Sequence, residues 1–128
     1  MKIIILGAGR VGASVAEKLV SENNDITVVD TDVENLKLLQ DKLDLRTVAG
    51  NGTHPPVMQL AGIEDADMLI ATATRDETNL VACQLAARLF NVPTRVARIR
   101  APEFLDHPEI TGEDGFKVDY LICPEQTV

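Results

Sequence analysis

From Ile3 to Leu6 the chain is apolar without interruption, as a short parallel strand buried on both faces should be. Runs of similar character recur at Ile26–Val29, Leu45–Ala49, Met68–Ala71, Thr94–Ile99 and Val118–Cys123. Between these runs the apolar residues return at helical spacing. Val15, Ala16, Leu19 and Val20 keep one helix face apolar, and Asn23-Asn24-Asp25 ends that helix as a polar turn. Val33, Leu36, Leu39, Gln40 and Leu43 mark a second helix, with Asp32 placed to cap it. His54-Pro55-Pro56 opens a short third helix that Gly62 stops. The longest pattern, Asp76–Phe90, directs Leu80, Val81, Leu85 and Leu89 inward. Thr74 or Asp76 is its cap, and Asn91-Val92-Pro93 its end. A proline-flanked helical turn follows around Glu103-Phe104-Leu105.

Strands alternating with helices of this length require right-handed crossovers. The expected fold is therefore α/β: a Rossmann-like, doubly wound, mainly parallel sheet of six strands in the order 3-2-1-4-5-6, with helices on both faces. Residues 1–128 form one domain on this reading.

The turn leaving the first strand carries the first candidate chemistry. Gly7-Ala8-Gly9-Arg10-Val11-Gly12 has the G-x-G-x-x-G spacing between a strand and a helix. Gly7 permits the tight turn, Gly9 lets the backbone approach a pyrophosphate, and Gly12 lets the helix pack close. The helix N-terminus then offers its N–H groups and positive dipole end to phosphate. Asp30 ends the second strand 18 residues after Gly12. A carboxylate there accepts hydrogen bonds from the adenosine ribose hydroxyls and repels a 2′-phosphate, favouring NAD or NADH over NADP. Arg10, inside the glycine loop, opposes the helix dipole where it stands, which suits a phosphate partner.

The loops Asn51-Gly52-Thr53 and Ala73-Thr74 follow strands three and four at the carboxyl edge of the sheet, where adenine and ribose are held in this architecture. Asn51 and Thr53 serve equally well as turn and cap residues. Arg98 and Arg100 alternate with Ile99 and so share a face, open to ligand contact or to structural ion pairs.

Composition narrows the function. The formal net charge of −8 argues against nucleic acid as the main partner, and Phe90, Phe104, Phe116 and Tyr120 are too scattered to form a base-stacking platform. Seven of the 20 acidic residues but only one basic residue, Lys117, lie beyond residue 100, a distribution that reads as a solvated face. No apolar run approaches the roughly 20 residues needed to span a bilayer. The first strand begins at residue 2, leaving no room for a signal peptide, so the cytoplasm is the expected compartment. Cys83 and Cys123, 40 residues apart, make neither a disulfide framework nor a metal site. His54 and His107 precede prolines in turns, without a carboxylate or nucleophile in sight. No acid–base pair and no substrate domain can be assembled for hydride transfer. An NAD-dependent oxidoreductase, or a fragment of one, is the alternative reading; a DNA-binding repressor has no room for its basic helix-turn-helix.

Several further motifs carry a resemblance: Val28-Val29-Asp30, Val48-Ala49-Gly50-Asn51-Gly52-Thr53, Ala71-Thr72-Ala73-Thr74-Arg75-Asp76-Glu77-Thr78-Asn79 and Tyr120-Leu121-Ile122-Cys123-Pro124-Glu125. Together with the glycine loop they make the whole chain resemble the N-terminal RCK (KTN) domain, of the regulators of potassium conductance. The resemblance implies a cytoplasmic regulatory domain, peripheral on the inner face of the cell membrane, that binds NAD/NADH or ATP/ADP and controls a membrane-embedded potassium transporter subunit. It implies a homo-oligomer, a dimer or ring, without membrane insertion or catalysis. It places Gly7 to Gly12, Asp30 and Thr31 on the dinucleotide, with Asn51, Gly52, Thr53, Ala73, Thr74 and Arg98 completing the site. Two departures stand out. The loop Gly50-Asn51-Gly52-Thr53 lacks the aspartate and alanine common at its middle, and family members continue into a further subdomain or second copy. The chain thus reads as a domain excised from a longer one.

Overall fold

Six parallel strands lie in the order β3-β2-β1-β4-β5-β6 in a computed structural model that describes residues 1–122. The strands are β1 (Lys2–Leu6), β2 (Asp25–Asp30), β3 (Arg46–Ala49), β4 (Met68–Ala71), β5 (Thr94–Arg98) and β6 (Tyr120–Ile122). The helices are α1 (Arg10–Ser21), α2 (Val33–Lys42), α3 (Pro55–Leu60), α4 (Asp76–Phe90), α5 (Pro102–Leu105) and α6 (Pro108–Thr111), with a single 3-10 turn at Ile63–Asp65. Topology and strand order are those the sequence pattern implies. Cys123 and Pro124-Glu125 lie outside the described residues.

Alternation along β1 divides the core. Ile3 and Ile5 join Ile26, Val28 and Ile70 beneath Ala16 of α1 and Leu36 and Leu39 of α2. Ile4 and Leu6 join Val29, Leu69 and Ala71 on the other face, beneath Met58 of α3 and Leu80, Ala82, Cys83 and Ala86 of α4. Both faces are thus covered, as an all-parallel sheet requires. The reversal of winding between β1 and β4 leaves a crevice beyond the carboxyl ends of the central strands.

Local chemistry explains most element ends. The Asp32 carboxylate accepts the Asn35 N–H at 3.2 Å and caps α2, and proline fills the first turn of α3. Gly62 takes the left-handed conformation after α3, φ 88°, and Asn91 does so after α4, φ 54°.

Three expectations need correction. Val81 and Leu89 do not face inward; they are 39% and 54% exposed. The face α4 turns to the sheet is Asn79, Leu80, Ala82, Cys83 and Ala86, because small side chains let the helix sit close over Ala71 and Ala97. Neither Thr74 nor Asp76 caps α4: the N-cap position is Arg75, without a side-chain bond, and Asp76 accepts from a distant loop instead. A second proline-initiated turn, α6, follows α5 where only one helical turn was expected.

Candidate nucleotide site

At the end of β1 the backbone turns sharply through Gly7, whose φ of 111° lies in the region that favours glycine. The Gly7 N–H donates to the Val29 carbonyl at 2.8 Å, tying the turn to β2. Three residues later α1 begins, with Gly9 at its N-cap. No side chain caps this helix and its first turn holds no acidic residue, so its leading N–H groups are left for another partner. Gly12 is the tightest point of the loop. A methyl group there would lie 1.9 Å from the Gly7 carbonyl oxygen and 2.8 Å from Thr72 Oγ1. The crowding that requires glycine thus arises in the turn itself and on β4's extension, rather than between helix and strand.

A cleft of about 650 Å³ opens in front of this helix end, within the size range of small-molecule sites. On one side stand Asp30, Thr31, Asp32, Asn35, Gly50, Asn51 and Gly52, from the ends of β2 and β3 and the start of α2. Opposite stand Thr72, Ala73, Thr74, Arg75, Thr78 and Arg98, from the ends of β4 and β5 and the start of α4. Gly7, Gly9, Arg10 and Val11 form the floor between them. Three arginines against two aspartates make the cleft basic in a chain of net charge −8. That balance favours an anionic ligand.

Eleven of the fourteen residues expected at the site line this cleft; Ala8, Gly12 and Thr53 do not. Each of the three supports a lining residue instead. The Ala8 N–H donates to Asp30 Oδ2 at 2.6 Å, Gly12 makes room for the turn, and Thr53 donates its N–H and hydroxyl to Asn51 Oδ1 at 2.9 and 2.6 Å. Asn51 therefore does act as a turn residue, while it also borders the cleft. Asp30 accepts on its other oxygen from the Asp32 N–H at 2.8 Å. A carboxylate has about four acceptor positions, so two remain for a ligand.

Residues that the sequence pattern passes over brace the opposite wall. Thr72 donates its N–H and its hydroxyl to the Leu6 carbonyl, at 2.7 and 3.0 Å, linking β4 to the glycine turn. Asn79, fully buried in α4, accepts the Ala73 N–H at 2.8 Å and donates to the carbonyls of Ala73 and Arg98 at 3.0 and 2.8 Å. Arg98 borders the cleft and donates to the Ala73 carbonyl at 3.5 Å. Arg100 falls outside it: its guanidinium donates to the Thr74 carbonyl at 3.4 Å, while the Asp76 carboxylate accepts the N–H groups of Arg100 and Ala101. The two arginines thus do not serve one surface, because β5 ends at Arg98 and the chain turns onto the α4 terminus.

Other candidates lie elsewhere. His107 pairs with a carboxylate after all, Glu109 at 3.3 Å, on an exposed turn; Glu109's own N–H, and then that contact, hold the Glu109 carboxyl below its usual range. Among the described residues no cluster has the make-up of a metal site, and no helix is long and apolar enough to cross a membrane. Cys83 is wholly buried, and burial pushes its thiol up to about 12. The reactive thiolate is then about one part in ten thousand at pH 8. Iodoacetamide at pH 8 should leave Cys83 unmodified in the native chain and alkylate it in urea, read by peptide mass spectrometry. Rapid native labelling would show that α4 opens locally.

Comparison with known proteins extends this picture. The family model of the TrkA-N domain matches residues 3–124. The Trk system potassium uptake protein TrkA of Vibrio alginolyticus is 57% identical over 129 residues, covering 100% of this chain and 28% of that protein. The chain thus spans little more than a quarter of the length of such curated relatives. Among solved structures, the TrkA-N domain of the Escherichia coli inner membrane protein YbaL superposes with a TM-score of 0.83 at 23% identity, over 98% of this chain and 88% of that one. The GsuK channel bound to NAD superposes at 0.75 with 21% identity, over 96% of this chain and 21% of that one. GsuK bound to ADP gives 0.75 with 20% identity, over 95% and 31%.

Proposed function

Because the chain belongs to the TrkA-N domain family, we propose that it is the nucleotide-binding regulatory module of a potassium uptake system, with NAD or NADH as ligand and ATP or ADP as the alternative. The observation that carries this reading is the uncapped, acid-free start of α1. It opens onto one cleft that holds both the Asp30 carboxylate and three arginines. Pyrophosphate suits the helix end and Gly9, and ribose hydroxyls suit the acceptor positions left on Asp30. Gly7, Arg10, Val11, Thr31, Asn51, Gly52, Ala73, Thr74 and Arg98 border the ligand, and Ala8, Gly12 and Thr53 hold the border in shape.

A regulatory rather than catalytic role accords with the lining. Among the described residues, those lining the cleft include no histidine, lysine, tyrosine or cysteine, the usual groups for passing a proton during hydride transfer. Relatives are named as potassium uptake proteins, and the GsuK channel has been solved with NAD and with ADP. A ligand can regulate only by binding two conformations with different affinity. On this proposal, nucleotides that bridge the two sides of the cleft to different extents alter how copies of the domain meet each other and a membrane-embedded transporter subunit, from the cytoplasmic face.

A thermal-shift panel tests the ligand. NAD, NADH, ATP, ADP and NADP are compared on the 128-residue chain. A ligand present at 100 times its dissociation constant should stabilise the fold by about 2.7 kcal/mol, a shift of several degrees. At least one of the first four is expected to give it, and NADP the least. No shift with any of the five would overturn the proposal, and robust NADH oxidation by the purified chain would favour the oxidoreductase.

A further inference from the structure

The carboxyl edge of the sheet is held together by a line of hydrogen bonds, in which Asn79 makes the side-chain link between β4 and β5. The Gly50 N–H donates to the Asp30 carbonyl, the Gly7 N–H to Val29, and Thr72 to Leu6, so β3, β2, β1 and β4 are joined in turn. From Ala73 to β5 the line runs through a side chain. Asn79 meets both the N–H and the carbonyl of Ala73, as a neighbouring strand would, and its remaining amide hydrogen reaches the Arg98 carbonyl. Its exposure is 0%, so its amide group has no water to fall back on. The two segments it joins supply Ala73, Thr74 and Arg98, which border only the β4–β5 side of the cleft.

We propose that Asn79 is a positioning residue that sets the β4–β5 half of the nucleotide site, and so governs how much more tightly a dinucleotide binds than its mononucleotide half. This rests on the reading that the cleft binds such ligands. A doubly wound sheet of this order offers two mononucleotide-sized halves, one on each side of the switch point. Asp30, Thr31 and Asn51 lie on the β1–β3 half, more than a strand away from Asn79. On this proposal the Ala73-Thr74 loop meets the second half of the ligand rather than the adenine and ribose that the sequence pattern suggests for it, so a ligand confined to the β1–β3 half needs nothing that Asn79 holds. A ligand crossing to the second half meets a wall whose shape Asn79 determines.

Calorimetric titration of the 128-residue chain with NAD and with AMP tests this, using wild type, Asn79→Asp and Asn79→Ser. Asp is nearly isosteric and keeps the acceptor for Ala73 N–H, but sets an oxygen against the carbonyls of Ala73 and Arg98. Ser removes the bridge without adding charge. The expected result is a loss of NAD affinity of about tenfold with AMP changed by less than about twofold. Equal losses for both ligands, or no loss for either, would overturn the proposal. Should both variants fail to fold, amide exchange on the wild-type chain decides. Saturating NAD should slow exchange at the Ala73 and Thr74 amides more than saturating AMP does, and equal protection would overturn it. Failure of wild type to bind either ligand is a different outcome, and removes the nucleotide site itself together with this role.

Discussion

Gly12→Ala is expected to cost about 3 kcal/mol or more of folding stability, whereas Gly9→Ala should leave stability within about 0.5 kcal/mol and weaken nucleotide binding instead. The two glycines belong to one motif and differ in what surrounds them. A methyl on Gly12 would stand 1.9 Å from a backbone oxygen, with Thr72 Oγ1 at 2.8 Å behind it. Neither can withdraw: the oxygen belongs to Gly7, whose turn is tied to Val29, and Thr72 is fastened to Leu6. The turn must therefore shift, breaking the bonds that align β1, β2 and β4 at their carboxyl ends. Gly9 is the opposite case. Its φ of −77° and ψ of −163° suit any residue, and a methyl there would have no neighbour within 4 Å. Alanine removes conformational freedom from the unfolded chain at no cost to the folded one, so stability holds or rises slightly. The open space around Gly9 is the cleft, and a methyl placed there holds a pyrophosphate away from the α1 N–H groups. Urea unfolding and calorimetric titration with NAD, run on both variants, separate the two effects. Wild-type NAD affinity in Gly9→Ala would remove pyrophosphate from the α1 terminus.

The same contrast explains what can be read from sequence here. Six strands and their order follow from local patterns: apolar runs long enough for strands, separated by helical repeats long enough for crossovers. Asp30 was legible because a strand's end fixes where its last side chain stands, and the glycine turn because three spacings reflect one tight piece of backbone. The face of α4 was not. Periodicity weights large side chains, yet the helix settles on Ala82, Cys83 and Ala86, since close approach to a sheet depends on how little stands in the way. The hydrogen-bonded braces were illegible for a different reason. Thr72 finds its partner 66 residues away and Asn79 one of its partners 19 away, and neither leaves a mark on the local pattern. By position, Asp76 fits the role of a helix cap. Tertiary contact assigns it to the N–H groups of Arg100 and Ala101 instead. A cleft of this kind is thus partly visible in sequence, on the side formed by consecutive elements, and hidden where distant segments meet.

Asp30→Ala is expected to lower affinity for NAD by about 10- to 100-fold, and for AMP by a similar factor, while narrowing the preference for NAD over NADP. Both ligands contain the adenosine ribose, so a carboxylate that accepts its hydroxyls must matter equally to each. The size follows from hydrogen bonds to a charged acceptor, each contributing about 1.5–3 kcal/mol. The variant carries a structural cost as well. Asp30 accepts the N–H groups of Ala8 and Asp32, and Ala8 is only 5% exposed, so its N–H loses its partner in a place that water barely reaches. Stability should fall by about 1–3 kcal/mol, and binding must be measured where the variant remains folded. Asp30→Asn refines the test. It keeps one oxygen, but its amide nitrogen must face either the Ala8 or the Asp32 N–H, donor against donor, so the loop is disturbed with the repelling charge removed. If Asp30 acts on the ligand, both variants bring NADP affinity closer to that of NAD, because the charge that repels a 2′-phosphate is gone. If Asp30 only braces the loop, both dinucleotides weaken in parallel and their ratio stays fixed. That ratio, measured by calorimetry on the same samples, separates a ribose-binding carboxylate from a purely structural one. The parallel fall of NAD and AMP here contrasts with the divergence expected of Asn79, so the pair of positions assigns each half of the cleft to its own half of the ligand.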